Sequence, residues 1–223
     1  MRVSSLAVGP YRTNCHVLVF DQTAIIIDPG FESDRIIQTL AALGVRPAAV
    51  FLTHTHWDHV MALPKLVSSF ENIRIFVHPK EACMLGKSGG KNQLQMVKAF
   101  DPYNVKLFEP YLYNLPEPTD VVSDGQVIDD FAILIKILHT PGHTSGSVCY
   151  YMETEHLLLS GDTLFAGTIG RTDVPGGSMS SIVSSIREKL LVLPHDTKVL
   201  CGHGPSTTIG RELQNPWLQP EVL

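Results

Sequence analysis

Three observations predict a mixed α/β protein. β-branched runs alternate with stretches of helical periodicity through the first third of the chain. The second half carries four further strand-like runs, and no linker, internal repeat or low-complexity tract interrupts the pattern. With 44% hydrophobic and 17% charged residues over 223 positions, there is ample material for a core, and one domain covering 1–223 is the simplest organisation.

The elements follow in order. Residues 15–20 and 24–27 are apolar and β-branched, and Asp28-Pro29-Gly30 ends the second run with a turn. Ile36, Ile37, Leu40 and Leu43 then recur at helical spacing, with Ser33 placed as N-cap and Gly44 as the stop. A short buried strand at 50–52 leads directly into 53–59, followed by a helix over 60–69 and a strand at 73–77. From 86 to 120 the periodicity fades and Gly, Lys, Tyr and Pro dominate, which predicts irregular loop with a short helix, placed to act as a lid. Gly89-Gly90-Lys91 is not a phosphate loop, because Asn92 stands where Ser or Thr is required and no strand closely precedes it. Strands are expected at 133–138, 147–152, 157–160 and 198–200. Met179, Ile182, Val183, Ile186 and Leu190 mark one amphipathic helix before the last of these.

Several function classes fall away on composition. Formal net charge is −5 and no Lys/Arg stripe is present, which argues against a nucleic-acid partner. Residues 1–14 hold no apolar signal segment and no apolar run approaches membrane-spanning length, so a cytoplasmic protein without a membrane partner is expected. Cys15, Cys83, Cys149 and Cys201 are scattered without a C-x-x-C pair, and fit reduced core thiols better than disulfides or a thiolate metal site.

Histidine is the unusual residue: ten are present and they are unevenly placed. The sequence His54-Thr55-His56-Trp57-Asp58-His59 follows directly on a predicted strand, an arrangement that chance would produce in roughly one sequence per thousand. Imidazole and carboxylate are donors that zinc, iron and manganese accept. His54 and His56 can converge on one ion while Asp58 and His59 turn toward a neighbouring position. The competing reading is a polar loop satisfied by its own hydrogen bonds, and three further segments weigh against it. His139-Thr140-Pro141-Gly142-His143, Ser160-Gly161-Asp162-Thr163 and Cys201-Gly202-His203-Gly204 each follow a predicted strand and offer a ligand after a turn. His16, His78, His156 and His195 read as packed or surface residues. His139 stays open between packing and orienting a ligand, and Asp28 between orienting a ligand and holding its own turn.

These motifs, in this order, resemble the metallo-β-lactamase superfamily over nearly the whole chain, and most closely its glyoxalase II-like (hydroxyacylglutathione hydrolase-like) branch. The resemblance implies a four-layer αβ/βα sandwich with metals at one edge. It implies that His54, His56 and His143 bind a first divalent cation, that Asp58, His59 and His203 bind a second, and that Asp162 bridges them, with Asp58 and Asp162 taking part in catalysis. Zinc is the expected metal, with iron or manganese as alternatives. Asp58 helps to choose the branch, since Cys or Glu in that loop would point elsewhere.

The implied reaction is hydrolysis of a small-molecule acyl-thiol ester, with a hydroxyacyl-glutathione as one candidate, by a metal-bridging hydroxide. Metal binding makes that nucleophile available by lowering the pKa of water from 15.7 to about 7. A thiolate, whose conjugate acid has a pKa of about 8.5, leaves without general-acid help, in keeping with the lack of a second acid/base motif. Full-length glyoxalase II carries a helical C-terminal domain with much of the glutathione site. Here the chain ends about twenty residues after His203, so that domain is expected to be missing and core loops must hold the carrier. Arg171, in the glycine-rich stretch 167–177, is the expected grip on an anionic group, against the plainer reading of an ion pair with Asp173. Persulfide dioxygenases of the superfamily also resemble the chain, around Gly170-Arg171-Thr172-Asp173, and hold a single iron at positions equivalent to His54, His143 and Asp162. A lactone or ester hydrolase is a further alternative.

Overall fold

The computed structural model describes residues 1–219. The chain forms two compact units, Met1–Val121 and Val122–Leu223.

The first unit is built on a six-stranded sheet: β1 (Arg2–Val8), β2 (Thr13–Phe20), β3 (Thr23–Ile27), β4 (Arg46–Phe51), β5 (Arg74–Val77) and β6 (Asp120–Val121), paired in that order. Strands β1 to β3 are antiparallel, and β3 to β6 run parallel. Parallel neighbours need crossovers, and helices supply them. These are α1 (Ser33–Leu43), α2 (Trp57–Val60), α3 (Leu63–Ser69), α4 (Gly86–Phe100) and α5 (Val105–Leu112). One core joins Val17, Val19, Ala24, Ile26 and Val50 of the sheet to Ile36, Leu40, Leu63 and Leu66 of the helices.

Three local expectations are corrected. Ser33 is the first helical residue, not the cap: Glu32 holds that position at φ 55°, and its carboxylate is engaged with Gly9 N–H and Arg35. The helix expected over 60–69 is two helices, because Gly30 inserts between them. Its N–H donates to His59 O at 2.9 Å, and its carbonyl accepts from Ala62 N at 2.7 Å. Only glycine fits there, since φ is +61° and a Cβ would lie 2.7 Å from Val8 and 3.0 Å from Asp58 O. The segment 86–120 is a helical pair, not irregular loop. Val97, Phe108 and Leu112 of α4 and α5 form a second small core with Met61.

The second unit has a six-stranded sheet in the order β14-β13-β10-β9-β8-β7. Its strands are β7 (Val127–Ile128), β8 (Ile135–His139), β9 (Val148–Met152), β10 (Leu157–Gly161), β13 (Lys198–Cys201) and β14 (Thr207–Thr208). A two-stranded ribbon, β11 (Leu164–Phe165) with β12 (Thr168–Ile169), follows β10. Strands β8, β10 and β13 all run in the same direction, so their C-terminal ends share one edge. The expected amphipathic helix is α6 (Met179–Ser185), continuing as π-helical turns over Ile186–Leu190. Ser178 caps it through Ser181 N, and Ile182, Val183, Ile186 and Leu190 pack on Leu158, Val199 and Cys201. The short helix α7 (Ile209–Glu212) follows β14.

Two large mixed sheets, each with its own helices, match the metallo-β-lactamase fold that the sequence predicts. Cys15, Cys149 and Cys201 are buried free thiols as expected, whereas Cys83 is exposed, on a 3-10 turn at Pro79–Met84. Burial pushes the Cys201 thiol up to about 12 and raises Cys15 as well. No helix of the described residues is long and apolar enough to cross a membrane.

Candidate metal centre

In the first unit, β3 and β4 are parallel neighbours, so Asp28 and the Thr53–His54 step leave the sheet at the same end. His54 Nε2 and His56 Nδ1 lie 3.1 Å apart, with ring centroids separated by 4.7 Å. Two nitrogens on one tetrahedral zinc, at bond lengths of 2.0–2.1 Å, would stand about 3.3 Å apart, so the pair already has the bite of a chelate. The His59 ring lies 4.2 Å from that of His54, and His59 Nε2 is 3.6 Å from Asp58 Oδ2. Thr13 donates its hydroxyl to the same Asp58 oxygen at 2.9 Å, fixing the carboxylate.

The Asp28 carboxylate reaches beyond its own turn, to Thr53 and His59. Its oxygens accept from Thr53 N at 2.8 Å and Thr53 Oγ1 at 2.6 Å, and Oδ2 stands 3.0 Å from His59 Nδ1. A carboxylate on Nδ1 fixes the tautomer and turns Nε2 outward as a ligand atom. Asp28, His54 and His59 do bring donor atoms within 4.8 Å of one another, but these bonds already assign Asp28 to orientation.

In the second unit the three expected ligands also meet. Gly142 sits at φ +139°, where a Cβ would lie 2.2 Å from Ile182 N, so glycine is required for the turn that delivers His143. His143 Nδ1 donates to Arg171 O at 2.8 Å, and Nε2 faces Asp162 Oδ2 at 3.7 Å. The same Asp162 oxygen is 3.5 Å from His203 Nε2. A register shift between Leu159 and Gly161 in the β10–β13 pairing re-aims the chain just before Asp162. Glycines leave room for that residue: a Cβ on Gly202 would lie 2.1 Å from Asp162 Oδ1, and one on Gly170 would lie 1.8 Å from its carbonyl oxygen. Imidazole nitrogens, carboxylate oxygens and this glycine-lined space suit a hard or borderline divalent cation.

The other candidates are placed as follows. Arg171 makes a two-point pair with Asp173, Nε to Oδ1 at 2.7 Å and Nη2 to Oδ2 at 2.8 Å, both side chains being exposed. The guanidinium holds the Asp173 carboxyl down at about 2. His139 Nε2 bonds Ser145 O at 3.0 Å and closes the loop that carries His143. His16 pairs with Ser5, His78 caps the 3-10 turn through Lys80 N, and His156 pairs with Asp196. Sequence reasoning missed Thr13, Thr53, Glu81 and Gln93. Thr53 was within reach, since a hydroxyl directly before the first ligand can bond its ring, as Oγ1 does to His54 Nδ1 at 3.1 Å. The others carried no local signal.

The chain belongs to the metallo-β-lactamase superfamily, whose model matches residues 8–203, a span that includes all seven expected ligands. It is 37% identical to Probable metallo-hydrolase YqgX of Bacillus subtilis, over 98% of each chain. It is 34% identical to Hydroxyacylglutathione hydrolase GloC of Haemophilus influenzae, again over 98% of each. Among solved structures it is similar to the BLEG-1 B3 metallo-β-lactamase, with TM-score 0.87 and 34% identity over 97% of this chain and 99% of that one.

Proposed function

We propose that the chain is a metal-dependent hydrolase that cleaves a small-molecule acyl-thiol ester, with a hydroxyacyl-glutathione as the leading substrate. In this reading two divalent cations, zinc in the first instance, are held by seven residues. His54, His56 and His143 take one, Asp58, His59 and His203 the other, and Asp162 serves both. The observation that carries it is the single Asp162 oxygen facing a histidine from each set, at 3.7 Å and 3.5 Å. Bound divalent cations supply a water activated at neutral pH and a Lewis acid for the carbonyl oxygen. The chain's own part is to hold these ligands ready. Asp28 and the Arg171 carbonyl set the ring orientations of His59 and His143, and Thr13 stops Asp58 from rotating. The departing thiolate needs no proton at neutral pH, so no further acid is required. The likeness to GloC supports the thioester, and the Arg171 side chain is proposed to grip the carrier's carboxylate. The proposal places the protein in the cytoplasm, with no nucleic-acid or membrane partner.

The test is a thioester panel, including S-lactoylglutathione, run on protein of measured metal content. Two ions per chain with thioester turnover is the expected result. A single iron with oxygen uptake on a persulfide would instead establish the dioxygenase. The likeness to BLEG-1 favours one second reading, hydrolysis of a β-lactam, whose ring nitrogen must be protonated as it leaves. Turnover of a chromogenic β-lactam by protein inert toward thioesters and lactones would decide for it.

A further inference from the structure

We infer that Glu81 and Gln93 are positioning residues for the His54–His56 chelate and act by clamping the one residue between them, an inference that rests on the metal-binding reading above. Thr55 N–H donates to Glu81 Oε2 at 3.0 Å, and the Thr55 hydroxyl donates to the same oxygen at 2.6 Å. The Thr55 carbonyl accepts from Gln93 Nε2 at 2.5 Å. The amide, hydroxyl and carbonyl of this residue are therefore all held by two side chains that are 5% and 0% exposed. The arms are also joined to each other, since Gln93 Nε2 donates to Met84 O at 3.3 Å, at the end of the 3-10 turn that carries Glu81.

A buried carboxylate is unfavourable unless it is well hydrogen-bonded, and closing an ordinary loop does not need one. Its placement here has a geometric use. His54 presents Nε2 and His56 presents Nδ1 at 3.1 Å, and for given ring rotamers that separation is set by the backbone through Thr55. If the peptides on either side of Thr55 turn by a few tens of degrees, the two nitrogens no longer share a focus, and ligand sets tolerate only about 0.5 Å of such error. Asp28, Thr53 and the Arg171 carbonyl fix individual rings, whereas Glu81 and Gln93 fix the angle between two of them. Removing groups that orient metal ligands typically costs 10–100-fold in affinity.

The test reads metal binding without any substrate. Metal-free protein is titrated with Zn2+ against a chromophoric chelator, and the visible spectrum of the Co2+-loaded form reports ligand geometry. Glu81→Ala is expected to weaken one of the two zinc equivalents by about 10–100-fold and to shift the Co2+ bands. Glu81→Gln keeps an acceptor for Thr55 and should restore affinity to within about threefold of wild type, because the geometry is preserved. Gln93→Leu should behave like Glu81→Ala, more mildly. Val97→Ala, a cavity under the same helix, should lower the melting temperature and leave the Co2+ spectrum unmoved. Should Glu81→Ala fail to fold, Gln93→Leu and Glu81→Gln still decide. The clamp is overturned if wild type binds two ions and Gln93→Leu binds them with the same affinity and spectrum, or if Glu81→Gln folds but rescues nothing. A wild type that binds no Zn2+ overturns the metal reading and the clamp together, whereas failure on thioesters alone leaves the clamp standing.

Discussion

Asp162 places one oxygen toward His143 and His203, a histidine from each proposed set. Asp162→Ala should therefore strip both ions under the proposed assignment, while His59→Ala, whose imidazole faces Asp58, should mainly lose one. Equal metal content in the two variants, measured by elemental analysis after dialysis, would refute these roles. Arg171 is a finer case. Its guanidinium rests on Asp173 in an exposed pair, so exchanging that partner for a substrate carboxylate forfeits little. Arg171→Ala should raise KM for anionic thioesters and leave kcat nearly unchanged, with the largest effect at low salt. A variant that treats anionic and neutral thioesters alike would leave Arg171 as a loop-shaping residue. The candidate ligands could be picked out in the sequence because His and Asp at strand ends have few other reasons to cluster. Their supports were not: Thr13, Glu81 and Gln93 stand 45, 26 and 38 positions from their partners.

At the level of elements, glycines decide how closely the ligand loops approach. Gly142→Ala would need both a φ that L-residues rarely adopt and a shift of the α6 backbone. We expect a loss of about 2 kcal/mol or more in urea unfolding. Gly202→Ala should be milder for stability but harder on the metal, because the new Cβ must displace the Asp162 carboxylate. Unchanged metal affinity in Gly202→Ala would show that the carboxylate can move without loss. Glycines are also why α4 escaped detection. Gly86, Gly89 and Gly90 dilute its apolar periodicity and have low helix propensity, yet each has a packing reason. A Cβ on Gly89 would lie 2.5 Å from Met84 O, and one on Gly90 would lie 2.1 Å from Leu112 O, so the close approach of α4 and α5 overrides propensity. Strands β2, β3, β5, β9 and β10 were easier to read, since their apolar runs are buried almost throughout, whereas the seven-residue β1, mostly half-buried or exposed, was missed.

Across the molecule, the thiols offer a global check on burial. Cys15, Cys149 and Cys201 are enclosed and two of them are held neutral by burial, whereas Cys83 is open to solvent. Native protein should react with one equivalent of a maleimide per chain at pH 7.5, and with four after denaturation, as counted by mass spectrometry. Rapid native labelling of two or more would mean that a core opens far more readily than its packing implies. The fold class was legible at this scale because order and content of motifs run the length of the chain. The short pairings β6, β7, β11, β12 and β14 were not, since each has two residues and no pattern can be read from two.

The bond from Gln93 to Thr55 joins helix α4 to the metal loop, and coupling of that kind works in both directions. If the helix prepares the histidines for a cation, the cation must in turn stabilise the helix. Amide hydrogens around Gln93 and Val97 should then exchange with deuterium more slowly in zinc-loaded protein than in chelator-treated protein, although no metal ligand lies within α4. Peptides from α6 should show no comparable change beyond any global effect. The helical pair that the sequence disguised as a loop would then serve as a thermodynamic gauge of whether the metal site is filled.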